Sequence, residues 1–125
     1  MQKTTAIQFL NRLFSELWSQ PDPAKVAEFY HHDLTGYFGD EVITFTDIQH
    51  RALFSQQTFS SVQTEILDVV AEGDQIAARF KQTATRKDGA KPLIHHPIGI
   101  YRLRDGKVSH VWFLTDKPFN YKEKA

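Results

Sequence analysis

The chain has 125 residues, enough for a single domain over 1–125 with a core and room for a pocket. Hydrophobic residues make up 41% and charged residues 24%, a globular rather than a disordered balance. Lys+Arg and Asp+Glu number 15 each, so the formal net charge is zero and no electrostatic case exists for a nucleic-acid partner.

Cysteine is absent, which excludes disulfides, thiolate catalysis and cysteine-ligated zinc and leads us to expect a cytoplasmic setting. The first residues run into an amphipathic pattern with no apolar signal core. No apolar run reaches membrane-spanning length, so no membrane partner is expected. The 10 Phe, 4 Tyr and 2 Trp point to a broad aromatic interior, a pocket lining, or both.

The first element is a helix with Ala6, Leu10, Leu13, Phe14, Leu17 and Trp18 on one stripe. Thr5 and Gln8 fit a capping box, and Gln20-Pro21 ends the helix. A short second helix starts at Asp22 as N-cap with Pro23 behind it, and stops near His31-His32. Leu34 to Phe45 reads as two short strands around Gly39-Asp40. Thr46, with Gln49 in the reciprocal position, then caps a third helix.

From Val62 the pattern turns to strands: Val62–Glu72, Gln75–Arg86, Pro92–Arg104 and Lys107–Asp116. Gly73-Asp74, Lys87-Asp88-Gly89 and Asp105-Gly106 separate them, which predicts an antiparallel meander. Helices first and strands second make an α+β chain. Strands this long must coil. The expected shape is a cone: a strongly curved antiparallel sheet with three N-terminal helices in its concave face. The tail Tyr121–Ala125 is expected to fray.

Several motifs carry a family resemblance in order along the chain. Ile100–Val108, with its Asp105-Gly106-Lys107 turn, resembles a strand–turn–strand of the SnoaL-like branch of the nuclear transport factor 2-like superfamily. Trp112 to Asp116 resembles the Trp-x-x-x-Asp that follows in that group, and Glu72–Arg79 and Asp22–Asp33 resemble its earlier steps. The resemblance implies a cone with a hydrophobic cavity, and a homodimer. It also implies cofactor-free acid/base work by Asp116, as in the polyketide cyclases of the group. The Tyr-plus-protonated-Asp pair of the steroid isomerases and the Asp-Arg-Asp set of the epoxide hydrolases find no match here.

Strand parity places Val108, His110, Trp112, Leu114 and Asp116 on one face. An Asp116 carboxylate beside Trp112 in an apolar cavity would have a raised pKa suited to moving a proton. The competing reading is a solvated strand end beside Lys117-Pro118. His95 and His96 point to opposite faces. His96 shares parity with Pro92, Ile94, Ile98 and Ile100, which makes it the expected inward partner or base. A bulge at Pro97 would turn His95 inward instead.

His31-His32-Asp33 suits a helix C-terminus, where the dipole favours imidazolium. No HxH or HExxH spacing occurs, so no metal is expected. Tyr30, Trp112, Phe14, Trp18 and Phe38 are expected pocket walls with His110 among them. For Phe14, as for Phe80, plain core packing is the preferred reading. Gln82 is either a pocket amide on the Ile76, Ala78, Phe80 face or a strand-end residue near solvent. Arg79, Lys81, Tyr101, Val111 and Phe113 fall on the other parity, a mixed outer face suited to pairing with a second copy.

Three functions remain open: an acid/base enzyme on a small hydrophobic substrate, a non-catalytic module binding a small hydrophobic molecule, or a dimeric interaction domain. No P-loop, dinucleotide fingerprint or nucleophile elbow is present.

Overall fold

The computed structural model describes residues 1–116. The tail expected to fray and the Lys117-Pro118 neighbours of Asp116 lie outside the described residues. Helix α1 spans Lys3–Arg12 and continues as a π-helical segment, Leu13–Trp18. A 3₁₀ turn at Pro23–Lys25 leads into the single turn α2, Val26–Phe29. Then follow β1 (Tyr30–Phe38), β2 (Glu41–Ile43), α3 (Phe45–Thr58), β3 (Phe59–Glu72), β4 (Gln75–Arg86), β5 (Leu93–His95), β6 (Ile98–Arg104) and β7 (Lys107–Leu114).

The strands form one sheet in the order β2-β1-β7-β6-β4-β3, with β5 added to β4. The expected sheet was antiparallel throughout; the observed one is mixed, because β1 runs parallel to β7. Only strands joined by hairpins must be antiparallel, and β1 reaches β7 from far away in sequence. Two-residue turns join β1 to β2, β3 to β4 and β6 to β7. At the last of these, Asp105 and Gly106 both take positive φ, 53° and 78°, as a type I′ hairpin requires.

The helices cover one face of the curved sheet, and the core lies between. Ala6, Leu10, Leu13 and Leu17 are fully buried, as the stripe predicts, against Val26, Phe29, Ile43, Ile76, Phe80 and Val108. Two caps differ from expectation. The α1 N-cap is Gln2, with no side-chain bond, so Thr5 and Gln8 are simply helical. The capping box of α3 sits two residues early: the Asp47 amide donates to Thr44 Oγ1 at 3.2 Å, and the Thr44 amide donates to Asp47 Oδ2 at 2.9 Å. Asp22 caps as expected, accepting from the Ala24 amide at 2.9 Å.

The second helix stops at Phe29, so His31, His32 and Asp33 stand in β1 and not at a helix end. Each has a local partner. His31 Nε2 bonds the Arg104 carbonyl, His32 stacks on Phe45 at 4.3 Å, and Asp33 accepts from Arg104 at 2.8 Å.

Two irregularities set which residues face inward. In β7 the register slips at Ser109: Leu103 pairs with Val108, but Arg102 already pairs with His110. This bulge buries both Val108 and Ser109 and reverses the parity beyond them. The expected strand Pro92–Arg104 is broken at His96-Pro97, where Pro97 has no N–H to donate and its carbonyl accepts from the Phe80 amide at 2.9 Å.

Candidate functional site

A cavity of about 190 Å³ lies between the helices and the concave face of the sheet. Its walls come from six parts of the chain, β3 among them with Phe59 and Val62. The π-helical segment gives Phe14 and Trp18, β1 gives Tyr30 and Phe38, and α3 gives Ile48, Arg51, Phe54 and Ser55. Strand β4 gives Phe80, Gln82 and Ala84. The last three strands and their junctions give His95, Tyr101, Val111, Phe113 and Thr115.

The π-helical stretch matters to this placement. Ser19 and Asp22 each donate five residues back, to the Phe14 and Leu17 carbonyls, at 2.7 and 3.2 Å. The wider turn holds Phe14 and Trp18 toward the sheet, and such turns recur at functional sites. Phe14 meets Phe80 edge to face at 4.9 Å, so both residues pack in the core and line the cavity at once.

The lining is apolar with a few convergent polar groups. Tyr30 sits where α2 becomes β1 and is 4% exposed. Burial pushes its phenol up to about 12, while the Trp18 indole N–H that donates to it and the nearby Arg51 charge pull the other way. Burial also raises the Tyr101 phenol, with Tyr30 adding to the effect. Both phenols are therefore neutral donors at physiological pH. The ring of Tyr101 lies across Gly99: a Cβ there would stand 2.9 Å from Tyr101 Cε2.

Gln82 forms a polar corner with His95. The His95 Nε2–H donates to Gln82 Oε1 at 2.8 Å, and the Gln82 amide donates to Thr64 Oγ1 at 3.1 Å. An amide oxygen only accepts, so this bond fixes the proton on Nε2 and leaves the lone pair of a neutral ring on Nδ1.

Several expected site residues stand elsewhere. Asp116 is not among the described lining residues. Its carboxylate accepts from the His96 amide at 2.7 Å and pairs with His96 Nδ1 at 3.0 Å. Those bonds hold its carboxyl well below the usual carboxylate range, the opposite of the elevation expected from burial. His96 is likewise outside, at the break between β5 and β6, and its neighbour His95 is the inward histidine.

Trp112 and His110 lie beyond the Ser109 bulge on the outer face. There they stack on each other at 5.8 Å, with Tyr37 stacked on Trp112 at 6.4 Å. Tyr101, Val111 and Phe113, expected outside, line the cavity, while Arg79 and Lys81 do face out. Tyr30, Phe14, Trp18, Phe38 and Gln82 line the cavity.

The reversal has one physical cause in two places. Both faces of this sheet carry large apolar residues, so parity alone does not say which is inside. Ile94, Ile98 and Ile100 are 41%, 52% and 43% exposed. Arg51 was not singled out in the sequence. Its signal was position: it lies one helical step from Ile48 and Ser55, a cation on the lining face of α3.

Among the described residues no group of three or more His, Cys, Asp or Glu could hold a metal ion. No helix among them is long and apolar enough to cross a membrane.

Among curated proteins no sequence matches the chain. Solved structures do. AclR from Streptomyces galilaeus, provisionally named a hydroxylase, is 20% identical with a TM-score of 0.78, over 92% of this chain and 77% of its own. A provisionally named polyketide cyclase from Acidithiobacillus ferrooxidans is 19% identical with a TM-score of 0.76, over 94% and 92%. A SnoaL-like cyclase, also provisionally named, from Jannaschia sp. CCS1 is 18% identical with a TM-score of 0.72, over 90% and 86%. At such identities the likeness establishes the nuclear transport factor 2-like fold and nothing finer. The sequence model of the SnoaL-like domain matches residues 10–111, most of the chain and nearly all of the cavity's walls, and the protein therefore belongs to the SnoaL-like domain family.

Proposed function

We propose that this protein binds a small, largely hydrophobic carbonyl compound in the cavity between its helices and sheet. One observation carries the reading: apolar walls from six parts of the chain enclose about 190 Å³ into which Tyr30, Tyr101, Gln82, His95 and Arg51 also converge. That composition, apolar with a few placed polar groups, is the pattern of ligand pockets. The volume lies below the roughly 300–1,000 Å³ usual for drug-sized ligands, which favours a molecule of one or two rings.

A carbonyl oxygen suits the two neutral phenols, which donate and do not ionise. Proton transfer next to that carbonyl falls to His95 and not to Asp116. The supporting observation is the Gln82 bond, which fixes one tautomer of the His95 ring.

The neutral aromatic ketone 2-acetylnaphthalene tests both parts. Wild-type protein is expected to melt at higher temperature in its presence, and Ala84→Phe, which fills the cavity, to lose that rise. Wild-type protein is also expected to speed deuterium exchange at the ketone's methyl group, and His95→Gln to bind without speeding it. Binding without exchange in the wild type leaves a non-catalytic binding module. No binding at all removes the pocket reading.

We also propose that two copies pair through the outer sheet face. Val42, Tyr37, Trp112, Ile100, Ala77 and Val70 are successive cross-strand neighbours, an apolar row spanning six strands.

A further inference from the structure

We propose that the Tyr101 hydroxyl is the donor that grips the ligand's carbonyl oxygen, and that Gly99 is the specificity-determining position that aims it. The proposal rests on the pocket reading and deepens it, from a cavity that accommodates a carbonyl to one that selects for it.

Tyr101 stands in β6, lines the cavity and is 7% exposed. Its cross-strand neighbours, Ile76 on β4 and Val111 on β7, are apolar and buried. Among the described residues no group hydrogen-bonds the Tyr101 hydroxyl. The other phenol differs, because the Tyr30 oxygen accepts from the Trp18 indole.

A buried hydroxyl normally has a partner, and leaving it without one is costly. A ring wanted for packing alone is served by phenylalanine, and the chain has 10 of those. The acceptor that completes this hydroxyl is therefore a group that the cavity admits.

Gly99 explains where the hydroxyl points. Residues 99 and 101 share one face of β6. A Cβ on Gly99 would stand 2.9 Å from Tyr101 Cε2, 3.1 Å from Tyr101 Oη and 3.2 Å from Tyr101 Cζ. The far end of the phenol, hydroxyl included, thus lies along the strand over Gly99. Across the sheet at that level stand Ala78, which is small, and Phe113, a cavity wall.

Gly99 is not among the glycines of positive φ, so its backbone does not require glycine. Glycine inside a strand weakens it, and the return here is space for the phenol. With the hydroxyl held over that space, a ligand oxygen satisfies it and a hydrocarbon of the same shape leaves it unmet. A site built this way rejects the analogue that lacks the acceptor.

The test compares two probes of one shape by fluorescence titration: 2-acetylnaphthalene and 2-isopropenylnaphthalene, which has a CH₂ in place of the carbonyl oxygen. The quantity read is the ratio of affinities, ketone over alkene, which cancels any loss of cavity volume common to both. Tyr101→Phe is expected to lower the ratio about five- to tenfold, the scale of one neutral hydrogen bond. Gly99→Ala keeps the hydroxyl but displaces it, and is expected to lower the ratio by a similar factor. The infrared carbonyl band of the bound ketone is expected at lower frequency in the wild type than in either variant. Without ligand, Tyr101→Phe is expected to melt no lower than the wild type, having no protein hydrogen bond to lose.

If Tyr101→Phe keeps the wild-type ratio and band, or melts lower without ligand, the hydroxyl is not the donor: this proposal is overturned and the pocket reading stands. If Gly99→Ala alone keeps them, the role of Gly99 is overturned. If the wild type binds neither probe, this proposal and the pocket reading fall together. Should Gly99→Ala fail to fold, the ratio, band and melting of Tyr101→Phe decide.

Discussion

At the scale of single residues, the largest change of role falls on Asp116. An aspartate at this strand end reads as a general base when its face is taken to be the cavity face. In the structure its carboxylate forms a clasp. Its two oxygens take the His96 amide and ring, tying the end of β7 to the break between β5 and β6. That break also determines where His95 sits, so Asp116 touches the site through its neighbour's neighbour.

The clasp has a pH signature. The carboxyl of Asp116 is lowered from 3.8 in the folded state by bonds that the unfolded chain lacks. A depressed carboxyl contributes stability that is fully present above its unfolded pKa and is lost as pH falls through the folded one. Wild-type protein is therefore expected to melt above Asp116→Asn at neutral pH, with the gap closing only in strong acid, below the usual carboxylate range. Melting curves at stepped pH check this; a gap that widens on acidification would contradict it.

What was legible of the site follows the same line. Tyr30, Phe14, Trp18, Phe38 and Gln82 lie before the irregularities of the last strands. His95 and His96 stand at the break before Pro97, and His110, Trp112 and Asp116 lie beyond the Ser109 bulge. A single extra residue at Ser109 inverts every assignment beyond it, and nothing in the side chains marks that insertion.

At the scale of elements, turns were easier to read than caps. Asp105-Gly106 has one good solution, a type I′ turn, because both residues must take positive φ and glycine does so freely. Strand β4 accordingly falls at Gln75–Arg86, as read, between two glycine-bearing turns. The start of α3 offers Thr44 and Thr46 as rival caps, with Asp47 and Gln49 three residues on, and local chemistry does not separate them.

The structure decides for Thr44. Burial of Phe45, at 8% exposure, is the difference: it brings that residue into the helix and onto the core, stacked against His32. Thr44→Ala is thus expected to cost about 1 kcal/mol of unfolding free energy. Thr46→Ala, an exposed change inside the first turn, should stay within about 0.5 kcal/mol. Urea denaturation of the two variants measures the difference, and equal losses would place the cap wrongly.

At the scale of the whole molecule, the sheet has two apolar faces but one set of helices. The concave face is covered by α1, α2 and α3. The convex face carries the row from Val42 to Val70, with Val42 and Val70 at 60% and 67% exposure and Ile100 at 43%. An apolar row of this length, bordered by the ion pair of Arg79 with Asp68 at 2.6 Å, has the layout of an interface: apolar centre, charged rim.

A second copy is the occupant with the right chemistry, because a two-fold axis sets the same row against itself and needs no other partner. The proposed dimer makes a specific demand. Ile100 sits at the middle of the row and is already partly exposed, so Ile100→Lys removes little packing within one chain. It should leave the melting of the monomer fold nearly unchanged while placing two ammonium groups near the axis of any dimer. Sedimentation at micromolar concentration is expected to give the dimer mass for the wild type and the monomer mass for Ile100→Lys. A wild type that sediments as a monomer ends the dimer proposal. A dimer that survives the substitution moves the interface away from this row, and would then leave Trp112 and its stacked neighbours without the cover the proposed dimer gives them.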